Sequence, residues 1–284
     1  MKHTTERVAF VTGASRGIGA ETAVALAHHG YQIALTARTL DDGQSQTYVG
    51  STAALPGSLR RTAAKVRAAG GDALCLQADI LDPDSMSEAV HQALTHFGRV
   101  DLLCNNAVYQ GTGNLEPLLS VNPDQLLKIY QGNVFTPLAL VQSVLPGMLE
   151  RRYGTVINMV SHSAFVDPPA PADQGGWGFA YPSSKAALSR MVASLRVEHA
   201  DSGLRAFNIE PGLVVTEVMR MAGIDESVVA RFKPCTAASI GAVLAWLAGN
   251  EPQAEWYQDG VLRAPLMAKA LGLLSVPSQL EETQ

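Results

Sequence analysis

The sequence predicts an α/β fold: a single domain over residues 1–284, built on a doubly wound parallel sheet of about seven strands with helices on both faces. Three observations predict it. Short apolar runs alternate with longer helix-like stretches along the chain, the order a parallel sheet with helical crossovers requires. The runs are near-continuously apolar, as strands covered on both faces must be. The first run ends in a glycine turn, TGASRGIG, that opens a helix.

The first strand is expected at residues 8–11 and its helix runs through ETAVALAHHG. A second strand at 33–35 ends in LTAR, and a long polar connection, TLDDGQSQTYVGSTAALPGSL, follows before helical character resumes around Arg60. The third strand lies at 73–76. Asp82 as N-cap, Pro83 as first helical residue and Gly98 as stop then bracket a helix of ordinary length. A fourth strand at 100–104 leads to a long helix at 124–150, and a fifth strand at 156–160 precedes the Pro/Gly-rich interval 161–181. A helix at 181–200, a sixth strand at 204–209, a last strand near 260–262 and a short helix in PLMAKALGLL complete the pattern. Prolines and glycines give the 161–181 interval the composition of a linker. Strands continue on both sides of it, however, and a cut there would leave two incomplete sheets.

Apolar residues make up 47% of the chain and charged residues only 17%, which suits a large core, a buried oligomer surface, or both. The net charge of −5 would repel a phosphate backbone, so no nucleic-acid partner is expected. The three cysteines lack metal or disulfide spacing and the seven histidines lack ligand spacing, so no metal site is proposed. The opening apolar run is too short for a signal-peptide core, and no stretch reads as a membrane span. A soluble, cytoplasmic protein is expected.

Two motifs carry chemistry. In the first, Gly13, Gly17 and Gly19 let the backbone approach a pyrophosphate, whose charge the amides and dipole of the helix N-terminus favour. A plain tight turn is the alternative, but the position after the first strand of a doubly wound sheet is where a dinucleotide sits in Rossmann-type folds. In the second, Tyr181 and Lys185 are four apart and share a face if a helix starts near Pro182. A cation beside a phenol favours phenolate and lowers its pKa from near ~10, suiting it to acid–base work.

With these motifs the chain resembles the short-chain dehydrogenase/reductase family, specifically the branch marked by TGxxxGxG and Tyr-x-x-x-Lys. The likeness covers most of the chain. NNAV at 105–108 resembles the family's NNAG, with Val108 in place of glycine; GNVFTPLALVQSVLP carries Asn133; GTVINMVS ends in Ser161; and EPGLVVT, 210–216, resembles the segment that embraces the nicotinamide end. The resemblance implies Tyr181 as general acid for carbonyl reduction and general base for alcohol oxidation. It gives Lys185 to the phenol and the nicotinamide ribose, Ser161 to the substrate oxygen, and Asn133 to a water relay. Ser163 is a near neighbour that could stand in for Ser161, and Asn133 could be only a helix-kinking residue. Around the cofactor the implied contacts are Gly13, Ser15, Arg16, Gly17, Ile18 and Gly19 in the turn; Arg38 after the second strand; Asp79 and Ile80 after the third; Asn106 and Ala107; Tyr181 and Lys185; and Pro211, Gly212, Val214 and Thr216. Asp79 has a simple loop cap as its alternative role.

An acidic residue ending the second strand would bind the ribose hydroxyls of NAD and repel the extra phosphate of NADP. Here Ala37 and Arg38 stand there, and Arg16 lies in the glycine turn. Two guanidiniums can clamp a phosphate, so NADP(H) is expected over NAD(H). The 39–58 connection could fold over that phosphate or form a mobile surface loop. Ser161 and Tyr181 are farther apart than in most relatives, so the residues between must loop out and return. Phe165, Trp177 and Phe179 there could line a pocket or staple the loop to the surface. A substrate flap is expected at about 213–233, with Met219 and Met221 as adaptable lining or helix packing. A tail follows at about 264–284. The function expected is hydride transfer between nicotinamide and a fairly apolar ketone or secondary alcohol, in a homodimer or homotetramer. A non-catalytic NADP(H)-binding sensor or scaffold is the competing reading.

Overall fold

A computed structural model describes residues 6–48, 51–221, 234–249 and 252–274. Seven strands form one sheet in the order β5-β2-β1-β6-β7-β8-β9, and every pairing is parallel. These are β1 (Arg7–Thr12), β2 (Tyr31–Ala37), β5 (Ala73–Gln77), β6 (Leu102–Asn105), β7 (Gly154–Met159), β8 (Leu204–Glu210) and β9 (Val261–Arg263). The expected strand at 100–104 sits two residues later at its start, because Val100 and Asp101 lead into the sheet by other bonds. Asp101 is fully buried; its carboxylate accepts from Val8 N (3.0 Å) and from Arg99 Nε and Nη2 (2.8 and 2.7 Å). Buried charge is tolerated only with such pairing, and here the pairing fixes the lower ends of β1 and β6 in register.

Each central strand feeds two cores. Along β1, Ala9 and Val11 point into one and Val8 and Phe10 into the other, all fully buried. That two-sided burial is the reason the strands read as unbroken apolar runs. The first core is covered by α1 (Gly17–His28), α2 (Leu59–Ala68), and two later helices labelled α8 (Ala237–Ala248) and α9 (Ala264–Ala270). The second is covered by α3 (Pro83–Phe97), α5 (Thr136–Glu150) and α6 (Ala180–Glu198). Helix α3 has the expected ends: Asp82 Oδ1 accepts from Asp84 N and Ser85 N, and Gly98 terminates it.

The long helix expected at 124–150 is α4 (Pro123–Tyr130), a single π turn at Gln131–Phe135, and then α5. Asn122 and Gln125 form a capping box at its start. By length and composition alone the run Pro123–Glu150 is apolar enough to cross a membrane, an 18-residue window of it having mean hydropathy 1.2, a test that buried core helices also pass. In the fold its second half packs Leu140, Val141, Val144 and Met148 into the core beneath β6 and β7. The 39–58 connection contains an antiparallel hairpin, β3 (Ser45–Tyr48) and β4 (Ser51–Ala54), separate from the main sheet. A short α7 (Glu217–Met221) opens the expected flap; residues 222–233 of that flap and 275–284 of the tail lie outside the described residues.

Candidate active site

From β1 the chain winds outward through β2 to β5, then returns to place β6 on the other side of β1. The crevice above the carboxyl ends of β1 and β6 is therefore the topological switch point, where open α/β sheets bind ligands. A cavity of about 380 Å³ lies there. Thr12, last in β1, ties the two sides together: its hydroxyl donates to Cys104 O and accepts from Asn106 N (3.0 Å) and Ala107 N (2.9 Å). Asn106 Nδ2 in turn donates to Thr12 O (2.8 Å).

The glycine turn is shaped by these contacts. A Cβ on Gly13 would lie 2.9 Å from Asn106 Nδ2, and one on Gly19 would overlap Gly13 O and sit 2.5 Å from Asn106 Nδ2. The α1 N-cap, Arg16, has a donor-only side chain and makes no cap bond, and Gly17, Ile18 and Gly19 at the helix start line the cavity. A cradle that a Cβ would fill, beside an uncapped helix N-terminus, fits the pyrophosphate of a dinucleotide. Gly13, Ser15, Arg16, Gly17, Ile18 and Gly19 all line the cavity, as do Arg38, Asp79 and Ile80. Asp79 also caps its own loop, Oδ1 accepting from Leu81 N (2.9 Å). Asn106 and Ala107, and on the far wall Pro211, Gly212, Val214 and Thr216, complete the lining expected from sequence.

Arg16 behaves differently from expectation. Its Nε donates to Pro56 O (2.9 Å), Nη1 to Tyr48 Oη (2.6 Å) and Nη2 to Gly57 O (2.9 Å), so its donors are engaged by the 39–58 connection. Among the described residues, Arg38 donates one long bond, Nη2 to Thr47 O at 3.3 Å. The two guanidiniums are thus not an equivalent pair.

At the inner end, Tyr181 is the second residue of α6 and Lys185 lies one turn on, with Nζ 5.8 Å from the phenol ring centroid. Both line the cavity. Lys185 is 2% exposed and donates from Nζ to Met159 O (2.7 Å) at the end of β7. Ser161 follows β7 by one residue after Val160; its Oγ lies 3.0 Å from Ser163 Oγ. Asn133 is fully buried within the π turn, a feature frequent at functional sites. Its Oδ1 accepts from Tyr109 N (2.9 Å) and its Nδ2 donates to Ser184 Oγ (3.0 Å), which donates to Tyr181 O. Asn133 therefore anchors the start of the helix bearing the phenol. Neither Ser161 nor Asn133 is among the residues lining the cavity.

Burial pushes the Tyr181 phenol above its ordinary value, and a hydrogen bond with Ser161 pulls the other way. Burial lowers Lys185 to about 8. In the protein alone desolvation of the phenol outweighs its bond to Ser161; the lowering expected from the sequence is assigned to Lys185 together with an oxidised nicotinamide.

The 161–181 interval is compact. It carries single 3₁₀ turns at His162–Ala164 and Ala172–Gln174, and Gly178 packs directly against Glu116 O. Phe165 and Phe179 are each 47% exposed, and with Trp177 they lie off the cavity lining. Met219 does line it. Sequence reasoning missed Thr12, Thr39, Tyr48, Val108 and Gln110 as lining residues, and Leu213 lines the cavity from the start of the expected flap. Thr12 was readable as the residue preceding the first glycine; Tyr48 carries no local signal at all.

A family model described as short chain dehydrogenase matches residues 7–227. A short chain dehydrogenase of Pseudocercospora fijiensis is 34% identical over 215 residues, 75% of this chain and 61% of that relative's length. A metagenomic short-chain oxidoreductase solved in complex with NADP superposes with TM-score 0.66 at 26% identity, covering 90% of this chain and 94% of that one. A 3-oxoacyl-[acyl-carrier protein] reductase of Brucella melitensis, solved with NAD, shares the fold with TM-score 0.72 at 24% identity, covering 92% and 96%.

Proposed function

The chain belongs to the short-chain dehydrogenase family, whose members are nicotinamide-dependent oxidoreductases acting on CH–OH and carbonyl groups, and on that premise we propose that it reduces a fairly apolar ketone, or oxidises the matching secondary alcohol, with NADP(H). The observation that carries this reading is one cavity with the Tyr181/Lys185 pair at one end and the glycine turn and Arg38 at the other. When bound, the nicotinamide supplies the hydride. Gly13, Gly17 and Gly19 would hold the pyrophosphate, and Pro211, Gly212, Val214 and Thr216 the nicotinamide end. Tyr181 Oη gives its proton to the carbonyl oxygen in reduction and takes it back in oxidation. Ser161, hydrogen-bonded to the phenol, holds the substrate oxygen beside it. Lys185 and Asn133 fix the start of α6, one through Met159 O and the other through Ser184.

Arg38, half-buried with most of its donors unengaged among the described residues, supports a 2′-phosphate at the adenosine end. Fluorescence titration is expected to show NADPH bound at least ~10-fold more tightly than NADH, the effect of one or two charge-assisted bonds. Arg38→Asp narrows or reverses that gap; a native preference for NADH sinks the NADP(H) reading. A panel of steroids, acyl ketones, sugars and aromatic aldehydes, followed by NADPH absorbance, identifies the substrate class.

We read residues 1–284 as one domain. Leu127, Phe135 and Leu138, between 40% and 61% exposed along α4, the π turn and α5, offer a second copy an apolar face, so a homodimer or homotetramer is proposed. Sedimentation is expected at two or four times the 30.1 kDa chain mass, and a monomer at micromolar concentration rejects it. Three unpaired cysteines support a reducing, cytoplasmic setting.

A further inference from the structure

We propose that the β3–β4 hairpin is a wall of the adenosine 2′-phosphate subsite, with Tyr48 as a direct ligand of that phosphate and Arg16 as the residue that positions Tyr48. The inference rests on the NADP(H) reading above.

An isolated two-stranded hairpin is marginal in water, so something must hold this one. Its strands do not: Tyr48 is the only buried residue among the eight described in β3 and β4, at 4% exposure. Nor does Tyr48 belong to either hydrophobic core. Two arginines tie it down: Arg38 donates to Thr47 O and accepts from Gln46 through its carbonyl, and Arg16 joins Tyr48 to the chain that follows β4. The Arg16 guanidinium reaches the carbonyls of Pro56 and Gly57 and the Tyr48 hydroxyl together. The chain following β4 then passes so close to the glycine turn that a Cβ on Gly57, at φ +99°, would lie 2.6 Å from Ser15 O. Only glycine permits that approach.

The consequence is chemical. Tyr48 lines the cofactor cavity next to Arg16, Arg38 and Thr39. Its ring centroid is 5.7 Å from the Arg16 guanidinium and 5.1 Å from that of Arg38. The hydroxyl accepts from Arg16 Nη1 at 2.6 Å, and among the described residues no acceptor takes its own proton. A phenol that accepts from a cation is polarised as a donor, and the matching ligand is an anionic oxygen. Arg38, with its weak single bond at 3.3 Å, supplies the charge on the other side. A phosphate monoester on the adenosine ribose is the group that a phenol donor and a weakly engaged guanidinium at this end of the cavity would take.

Calorimetric titration with 2′,5′-ADP and 5′-AMP reads this end of the cofactor alone. Wild type is expected to bind 2′,5′-ADP at least ~10-fold more tightly than 5′-AMP. Tyr48→Phe keeps the ring and should weaken 2′,5′-ADP about 5- to 20-fold while moving 5′-AMP less than about twofold. Arg16→Met should weaken 2′,5′-ADP, and adding Tyr48→Phe to it should then change little, because the hydroxyl has already lost its placement. If the two effects multiply instead, Arg16 acts on phosphate independently and the positioning role is wrong. If Tyr48→Phe discriminates as wild type does, the Tyr48 assignment is overturned although the NADP(H) reading stands. If wild type itself does not discriminate, the NADP(H) reading fails first and carries this one with it.

Discussion

Tyr181→Phe is expected to lower turnover by about 10³-fold or more while NADPH affinity stays within about twofold of wild type. General acid–base catalysis by one positioned group contributes roughly 10²- to 10⁴-fold, and no other phenol lines the inner end of the cavity among the described residues. Phenylalanine keeps the ring, so the start of α6 and the Asn133–Ser184–Tyr181 O connection remain in place. The hydroxyl is removed, and with it the transferable proton and the bond to Ser161. Single-turnover absorbance changes with saturating NADPH, beside a binding titration, separate chemistry from affinity. Because burial raises the phenol, its acid form persists past neutral pH, and reduction should fall only as pH rises through that raised value. The same shift makes the buried neutral phenol a stabilising feature below its unfolded pKa near ~10, lost as pH climbs through the folded value. A variant with wild-type turnover would remove Tyr181 from the mechanism.

How much of this was legible depended on how local the cause was. The glycine turn is set by residues within a few positions of β1, so Gly13, Gly17 and Gly19 could be read directly, and the Tyr181/Lys185 face follows from helical spacing. The strands expected at 156–160 and 100–104 each fell within two residues of the observed Gly154–Met159 and Leu102–Asn105, because both are continuous buried runs whose ends the local sequence does not mark. The π turn around Asn133 left only the hint of a kink. The division of labour between Arg16 and Arg38 could not be read, because it depends on Pro56 and Gly57 meeting Arg16 some 40 positions away. Tyr48 was hidden for the same reason: nothing near it in sequence distinguishes a buried cavity-lining tyrosine from a surface one in a polar connection.

Lys185→Met should abolish useful turnover and at the same time make the protein more stable. The side chain is 2% exposed, and the hydrogen bond shown for its ammonium is the one to Met159 O. Burial lowers its pKa from 10.5 to about 8, a penalty on the charged form of about 3 kcal/mol at most near neutrality. The sign follows from linkage: with the folded value depressed, the lysine's contribution is most favourable above its unfolded pKa and worsens as pH falls toward 8, staying constant below. Methionine has similar length, carries no charge and fills the same space, but forfeits the bond to Met159 O, worth about 1 kcal/mol. A net gain of about 1–2 kcal/mol and a rise of about 2–6 °C in melting temperature are expected at pH 7. The advantage should shrink as pH is raised from 8 to 10, when the wild-type lysine neutralises. Turnover should drop at least ~10²-fold, since α6 keeps its phenol but loses the donor at its shoulder. Scanning calorimetry across that pH range is the measurement: a variant less stable than wild type at pH 7, or an advantage that grows with pH, would show that the bond to Met159 O outweighs desolvation. A site of this kind keeps a destabilising buried charge because the reaction needs it.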